Sequence, residues 1–365
     1  MLLKKIQLHN FRNIPSSVFA FSPHLTIVVG ENAQGKTNIL ESLYFAITGT
    51  GFRESREEEL MAMGQKQAQV DVLFDKAGTP KQFRILLAQD IRQVVTKSFF
   101  IEKVRKGHHA YTAEQTRAVL FSPEQLAIIT GAPQLRRDYF NQCISQFDSA
   151  YGKHLVNYEQ ALRKRNKLLE HHTSPDALAR ELLFWDAYLE KEGAYITEAR
   201  TAYMGFLAEH TEVDGKTFTV EYVKNIFSLD RLEEKKQLEL KIRKTLIGPQ
   251  KDDFIFYLAQ GTKPHKNIQK YGSRSEQRMG ILWLKLNEIY YLEHHLHIRP
   301  ILLLDDVFSE FDTDNKARIL KLIGTYQSVM TTTELELVQE IHKKNKTYTV
   351  IQLQKTGTGE NTLDR

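Results

Sequence analysis

Apolar and polar residues alternate through residues 66–121, in "QVDVLFD", "KQFRILLAQD" and "VVTKSFFIEKV", with glycine, proline and charged residues between the runs. A period of two puts every second side chain on one face, so these runs predict an antiparallel sheet with one buried side. After "FSPEQL" the period lengthens. Leu155, Tyr158, Leu162 and Leu169 recur at three and four spacing, and so do Leu178, Leu182, Trp185, Leu189, Ile196, Ala199, Tyr203 and Phe206. Helices over 151–171 and 176–208 follow from that period. "TSPD" lies between them, with Ser174 placed to cap the second helix and Pro175 at its first helical position, so the pair reads as a helical hairpin. At about 1.5 Å per residue the second helix runs roughly 45 to 50 Å, long enough to project from a globular head. A further amphipathic stretch, "DRLEEKKQLELKIRKTL", brings the chain back toward that head. "LTIVV" and "ILLL" follow neither period; both predict strands, the second buried on both faces.

The residues after these two strands carry the chemistry. "LTIVV" leads into Gly30, Glu31, Asn32, Ala33, Gln34, Gly35, Lys36 and Thr37, and then into a helical pattern through Ile39, Leu40, Leu43 and Tyr44. This is G-x-x-x-x-G-K-T between a strand and a helix, a specific phosphate-binding pattern. Its glycines let backbone N–H groups close around phosphate oxygens, Lys36 reaches the β and γ phosphates, and the Thr37 hydroxyl ligates Mg²⁺. "ILLL" ends in Asp305 and Asp306. An unpaired carboxylate beside a packed strand is costly, and Mg²⁺ held with a nucleoside triphosphate supplies the cation for Asp305. Asp306 is placed to orient or deprotonate an attacking water; a solvated acid at a strand end is the competing account. Most of the chain lies between Thr37 and Asp305, so something is inserted into the nucleotide-binding core.

A third cluster precedes the carboxylate strand. In "YGSRSEQRMGILWLKLNEIYYLEHH", Gly272, Ser273 and Ser275 open a helix that continues through Ile281, Leu282, Leu284, Leu286 and Ile289. A small-residue turn at a helix N-terminus is an anion site, and an ordinary helix cap explains the same residues.

Composition sets the surroundings. With 365 residues and 41% hydrophobic content the chain buries a real core in two or three compact units. Cys143 is the single cysteine, which excludes an intramolecular disulfide or a cysteine metal cluster and fits a reducing compartment. "MLLKKIQLHNFRN" lacks the apolar segment of a signal peptide, and no run approaches the roughly 18 apolar residues of a membrane span, so a cytoplasmic protein is expected. The net charge of +5 permits a polyanionic partner without requiring one. Basic residues cluster in "ALRKRNKLLEHH", with Arg163, Lys164, Arg165 and Lys167, and in "EKVRKGHH", with Lys103, Arg105 and Lys106. Each cluster reads as a contact patch for a polyanion or as a solvated face. The histidine pairs at 108–109, 171–172 and 294–295 lack partners at metal-ligand spacing and read as structural.

The order of phosphate loop, inserted helical arm, small-residue turn with helix, and carboxylate strand resembles the ABC-type ATPase heads of the SMC and RecF class. "LHNFRN", "TGTGFRESREEELMAMG", "VLFSPEQLAIITGAPQLRRDYF", "GPQKDDF" and "PILLLDDVFSEFD" followed by "TTTE" are similar to segments of the RecF family, bacterial proteins of DNA replication, recombination, repair and the SOS response. The resemblance implies an α/β P-loop head with a mixed sheet, an antiparallel β subdomain and an inserted helical arm. The implied segments are 1–122 and 247–365 for the two halves of the head and 123–246 for the arm. It further implies a slow, DNA-stimulated ATPase that uses ATP and Mg²⁺. ATP binding would drive dimerisation on double-stranded, gapped or junction DNA without sequence preference, and hydrolysis would reset it, helping RecO and RecR load RecA. In such a dimer Asp306, Lys36 and Ser273 would form the catalytic set, Ser273 touching the γ-phosphate held by the other chain. Arg12 would lie near the nucleotide, and Thr332 or Thr333 would stand where transporters carry a sensor histidine. Arg163, Lys164 and Lys167, with Lys103 and Arg105, would meet DNA phosphates. This chain departs from the family at Ser275, where glycine is usual, and at Gln250 and Lys251, where histidine and arginine are usual. An ABC-type subunit of another DNA-maintenance or transport complex is the alternative, although a transporter ATPase lacks the arm and normally has glutamate at the position of Asp306.

Overall fold

The computed structural model describes residues 1–53, 56–171, 175–259, 265–309, 313–333, 348–353 and 359–362. Packing separates two compact units, Met1–Glu124 with Glu288–Arg365, and Gln125–Asn287. The first unit opens with strands β1 (Leu2–Phe11), β2 (Ile14–Ala20) and β3 (Leu25–Val29) and helix α1 (Lys36–Thr48). β4 (Gln67–Lys76), β5 (Thr79–Gln89), β6 (Val95–Ile101), β7 (Val104–Lys106), α2 (His108–Ala113) and β8 (Ala118–Phe121) follow. The second unit holds α3 (Leu126–Thr130), α4 (Pro133–Phe147), α5 (Ser149–His171) and α6 (Pro175–Glu209). It continues with β9 (Glu212–Val213), β10 (Lys216–Val223), α7 (Leu229–Ile242), β11 (Asp253–Ala259), β12 (Lys266–Asn267) and α8 (Ile268–Tyr271). Helix α9 (Arg274–Leu296) begins in the second unit and ends in the first. β13 (Ile301–Asp305), α10 (Thr313–Thr325), β14 (Ser328–Thr332), β15 (Tyr348–Leu353) and β16 (Gly359–Thr362) complete the first unit.

Two sheets build the first unit. One is antiparallel in the order β2-β1-β4-β5-β6-β7. Its alternation is as predicted: Ala68, Val70, Val72 and Phe74 of β4 and Phe83, Ile85 and Leu87 of β5 are buried, in one apolar cluster with Ile39, Leu40, Leu43 and Phe45 of α1. The sheet differs in extent from the expected 66–121. β1 and β2 join it, while Ala118–Phe121 leaves for the other sheet, because all four of its residues are buried and a strand with two apolar faces suits a covered parallel sheet.

That second sheet has the order β16-β15-β3-β14-β13-β8, parallel from β15 to β8, with β16 antiparallel at the edge. Every residue of β3, β13 and β14 is buried. β14 lies between the phosphate-loop strand β3 and the carboxylate strand β13, and its Thr331 pairs with Val28 on one side and Asp305 on the other.

The second unit contains the predicted hairpin. Helices α5 and α6 run antiparallel, since Tyr151 meets Arg200, His154 meets Glu192 and Arg165 meets Asp186. At 35 residues α6 is about 52 Å long. The expected cap, Ser174, lies outside the described residues. The expected boundary at 246/247 differs from the packing, which keeps residues 247–287 in this unit. β11 pairs with β10 from Asp253 to Ala259, and buried Asp252 accepts hydrogen bonds from Arg200 of α6, Tyr222 of β10 and the Asn225 N–H. Among the described residues no helix is long and apolar enough to cross a membrane.

Candidate nucleotide-binding site

The loop from Gly30 to Gly35 connects β3 to α1, and its geometry follows from the residues in it. Gly35 caps α1 at φ +93, a left-handed conformation that glycine adopts freely, and a Cβ there would lie 2.9 Å from the Asn13 Oδ1 atom. Lys36 lies back across the loop, its Nζ donating to the Gly30 and Glu31 carbonyls at 2.8 Å each. Burial lowers the Lys36 pKa, and the charges of Asp306 and Asp305 oppose that shift. The Gln34 side chain accepts from the Glu31 N–H at 2.8 Å, while Glu31, Asn32 and Ala33 are exposed. The free N–H groups at the start of α1 and a cation at the loop give a cradle suited to phosphate.

Thr37 and Asp305 are 268 residues apart in the chain, yet the Thr37 hydroxyl donates to Asp305 Oδ1 at 3.0 Å. A hydroxyl and a carboxylate are hard oxygen donors, and Mg²⁺ is bound by few such groups together with water and substrate phosphates, so this pair fits that ion. Asp306 stands next to it at φ +45, a conformation uncommon outside glycine. Thr331, the first residue of "TTTE", has no role assigned from the sequence, and it joins the two acids: its hydroxyl donates to Asp305 Oδ1 at 2.7 Å and accepts from the Asp306 N–H at 3.0 Å. Of the two residues named from the family resemblance, Thr332 is buried at the end of β14 and Thr333 is exposed.

Arg12 lies in the turn between β1 and β2 at φ +51. Its Nε and Nη2 donate to the two oxygens of Glu41 at 2.8 and 2.9 Å. Glu41 is one helical turn beyond Thr37 on α1 and its side chain is fully buried, so it depends on paired cations; Arg53 supplies the second, donating to it through N–H and Nη2 at 3.1 Å each. An acid among the apolar positions Leu40, Leu43 and Tyr44 is the sequence signal for this cluster.

Ser273 and Ser275 open α9 in the second unit and are exposed. Ser273 and Glu276 form a reciprocal cap: the Glu276 N–H donates to Ser273 Oγ at 3.3 Å and the Ser273 N–H to Glu276 Oε2 at 2.6 Å. The helix-cap account of this turn therefore describes its geometry, and the exposed serines leave it open to a further role. The basic residues divide. Arg163, Lys164 and Lys167 are exposed on α5, and Lys103 and Arg105 are exposed at the β6–β7 hairpin. Arg165 is a correction to the basic face: its side chain is 3% exposed and pairs with Asp186 at 2.6 Å and Glu239 at 2.8 Å. At 100° per residue it lies about 160° round the helix from Arg163 and Lys167 and about 100° from Lys164. Gln250 is also inward, accepting from the Tyr158 hydroxyl. Of the predicted site residues, the structure brings together Lys36, Thr37, Asp305 and Asp306 in the first unit, with Arg12 held on the same α1 helix through Glu41.

A glycine loop between a parallel strand and a helix, with the helix's first threonine bonded to an acid at the end of another strand of the same sheet, defines a P-loop nucleotide-binding head. The RecF/RecN/SMC N-terminal domain profile matches residues 2–358. A DNA replication and repair protein RecF of Agathobacter rectalis is 32% identical over 364 residues, covering 96% of this chain and 98% of that protein. One of Gloeobacter violaceus is 31% identical over 380 residues, covering 98% and 99%. The solved structure of the recombination mediator protein RecF with ATP, in the RecFOR pathway, superposes with a TM-score of 0.83 at 27% identity, covering 99% of this chain and 98% of that one. A solved Smc head bound to the winged-helix domain of ScpA shares the fold, with a TM-score of 0.54 at 14% identity and coverage of 99% and 97%. The chain belongs to the RecF/RecN/SMC N-terminal domain family, and within it to the RecF proteins of DNA replication and repair.

Proposed function

We propose that this chain is a cytoplasmic, slow, DNA-stimulated ATPase of recombinational gap repair whose ATP-bound form dimerises on DNA. The observation that carries the reading is the bond from Thr37 to Asp305, which joins the phosphate loop to the carboxylate strand across 268 residues. Lys36 and the loop N–H groups would hold the triphosphate, and Thr37 and Asp305 would hold Mg²⁺. The metal supplies charge neutralisation at the β and γ phosphates. Asp306 orients or deprotonates the attacking water. Ser273, exposed at the start of α9, contacts the γ-phosphate bound by a second copy, with Ser275 beside it. Thr332 stands near the nucleotide at the end of β14, and Arg12 is directed by Glu41. Arg163, Lys164 and Lys167, with Lys103 and Arg105, neutralise phosphates of duplex or gapped DNA without reading bases. The relative solved with ATP and described in the RecFOR pathway supports ATP as the nucleotide and RecO and RecR as partners; loading of RecA on gapped DNA is the role we propose for that assembly.

Light scattering with and without ATP and duplex DNA tests the dimer directly: mass should double only with ATP. Lys36→Ala should abolish ATP binding, because it removes the one side-chain cation of the motif while leaving α1 packed. Normal ATP affinity in a folded Lys36→Ala protein would refute the phosphate-loop assignment.

A further inference from the structure

We propose that Thr331 is a positioning residue that holds Asp305 and Asp306 in a fixed mutual geometry, so that one hydroxyl sets both the metal-binding and the water-orienting acid. The inference rests on the roles given above to those two acids. Thr331 is 1% exposed, on the strand inserted between the phosphate-loop strand and the carboxylate strand, directly paired with Asp305. Its hydroxyl works in both directions. As a donor it reaches Asp305 Oδ1 at 2.7 Å, the same oxygen that receives the Thr37 hydroxyl at 3.0 Å, so two threonines from two neighbouring elements fix that carboxylate. As an acceptor it takes the Asp306 N–H at 3.0 Å.

The second bond matters because Asp306 sits at φ +45. A residue with a side chain does not rest there without support, and a departure from that conformation would swing its carboxylate away from the position next to Asp305. The Thr331 oxygen holds the Asp306 backbone through its N–H while it orders the neighbouring acid. Ordinary strand propensity accounts for a β-branched residue at this place in a buried strand, but valine would serve it as well. The hydroxyl is what the geometry uses.

Thr331→Val keeps the shape and removes both bonds, and Thr331→Ser keeps both. Loss of an outer-shell partner of this kind typically lowers metal affinity or activity about 10- to 100-fold. For Thr331→Val, the gain in affinity for a fluorescent ATP analogue on adding Mg²⁺ should therefore shrink, and kcat should fall, about 10-fold or more. Binding of the same analogue in EDTA, which depends on Lys36 and the loop, should stay within about 2-fold of wild type, well short of that range. Thr331→Ser should restore both Mg²⁺ response and kcat. If the valine protein misfolds, Thr331→Ala is measured in the same way. A valine or alanine protein with wild-type Mg²⁺ response and kcat would overturn the proposal, as would a serine protein no better than valine. If wild type itself shows no Mg²⁺-dependent gain, the reading of Asp305 fails first and this inference falls with it, a result distinct from a normal wild type with an indifferent Thr331.

Discussion

Replacing Asp252 with alanine should destabilise residues 125–287 by several kcal/mol. The Asp252 side chain is fully buried and that of Arg200 is 2% exposed, with Nη1 to Oδ2 at 2.5 Å. Asp252 also accepts the Tyr222 hydroxyl at 2.5 Å and the Asn225 N–H at 2.6 Å. Burial raises the Tyr222 pKa, so the phenol keeps its proton and donates it. Removing the acid leaves the Arg200 charge buried with three neutral acceptors, the Pro249 carbonyl, the Tyr151 oxygen and Asn141 Oδ1. Breaking a buried pair from one side costs about 3–5 kcal/mol, and those remaining acceptors place this case near the middle of the range. With a urea slope of about 2 kcal/mol per M, the unfolding midpoint should fall by roughly 1.5 to 2.5 M. Tryptophan fluorescence reads this unit alone, because both tryptophans of the chain, Trp185 and Trp283, belong to it. Replacing both partners, Asp252→Leu with Arg200→Met, should recover much of the loss, since no charge is then stranded. A midpoint shift under about 0.5 M for Asp252→Ala, or a double variant weaker than the single one, would show that the pair is not what holds the 247–259 segment to α6.

Asp306→Asn should bind ATP and DNA yet persist as a dimer, because the resetting step is lost, whereas Asp305→Asn should weaken Mg²⁺-dependent binding as well as turnover; equal behaviour in a binding and turnover assay would mean that the roles are not divided in this way. Changing Arg163, Lys164 and Lys167 together to alanine should weaken duplex binding and flatten its salt dependence by about 0.9 in log–log slope for each phosphate no longer neutralised, and an unchanged slope would return these exposed residues to a solvated face. Ser273→Arg should prevent ATP-dependent dimerisation while monomer ATP binding survives. Ser275→Gly should tighten dimerisation by about 1 kcal/mol, the scale of one hydrogen bond or a modest clash. Light scattering and sedimentation decide both, and dimerisation of Ser273→Arg with no change for Ser275→Gly would leave the turn as a helix cap only.

Features set by local chemistry were legible in the sequence. The phosphate loop requires glycine at a left-handed position and a lysine and threonine at the start of a helix, all within eight residues, so the pattern contains its own geometry. The long helices were equally plain, because a buried stripe every three or four residues marks the face that packs whatever it packs against. The run Ile301–Leu304 announced a buried strand for the same reason. Choices among chemically equivalent residues were made only by the tertiary structure. Thr331, Thr332 and Thr333 are identical letters, and strand register alone sets the first opposite Asp305. Arg165 reads like its basic neighbours until α6 and α7 bring Asp186 and Glu239 to it. Glu41 is tolerable inside the apolar face of α1 because Arg12 and Arg53 arrive from 29 residues before it and 12 after. Ala118–Phe121 could pair with either sheet on its own composition, and joined β13 because both its faces needed cover. In each case the deciding energy is a pairing or a desolvation between distant segments, which a local pattern of residues does not contain.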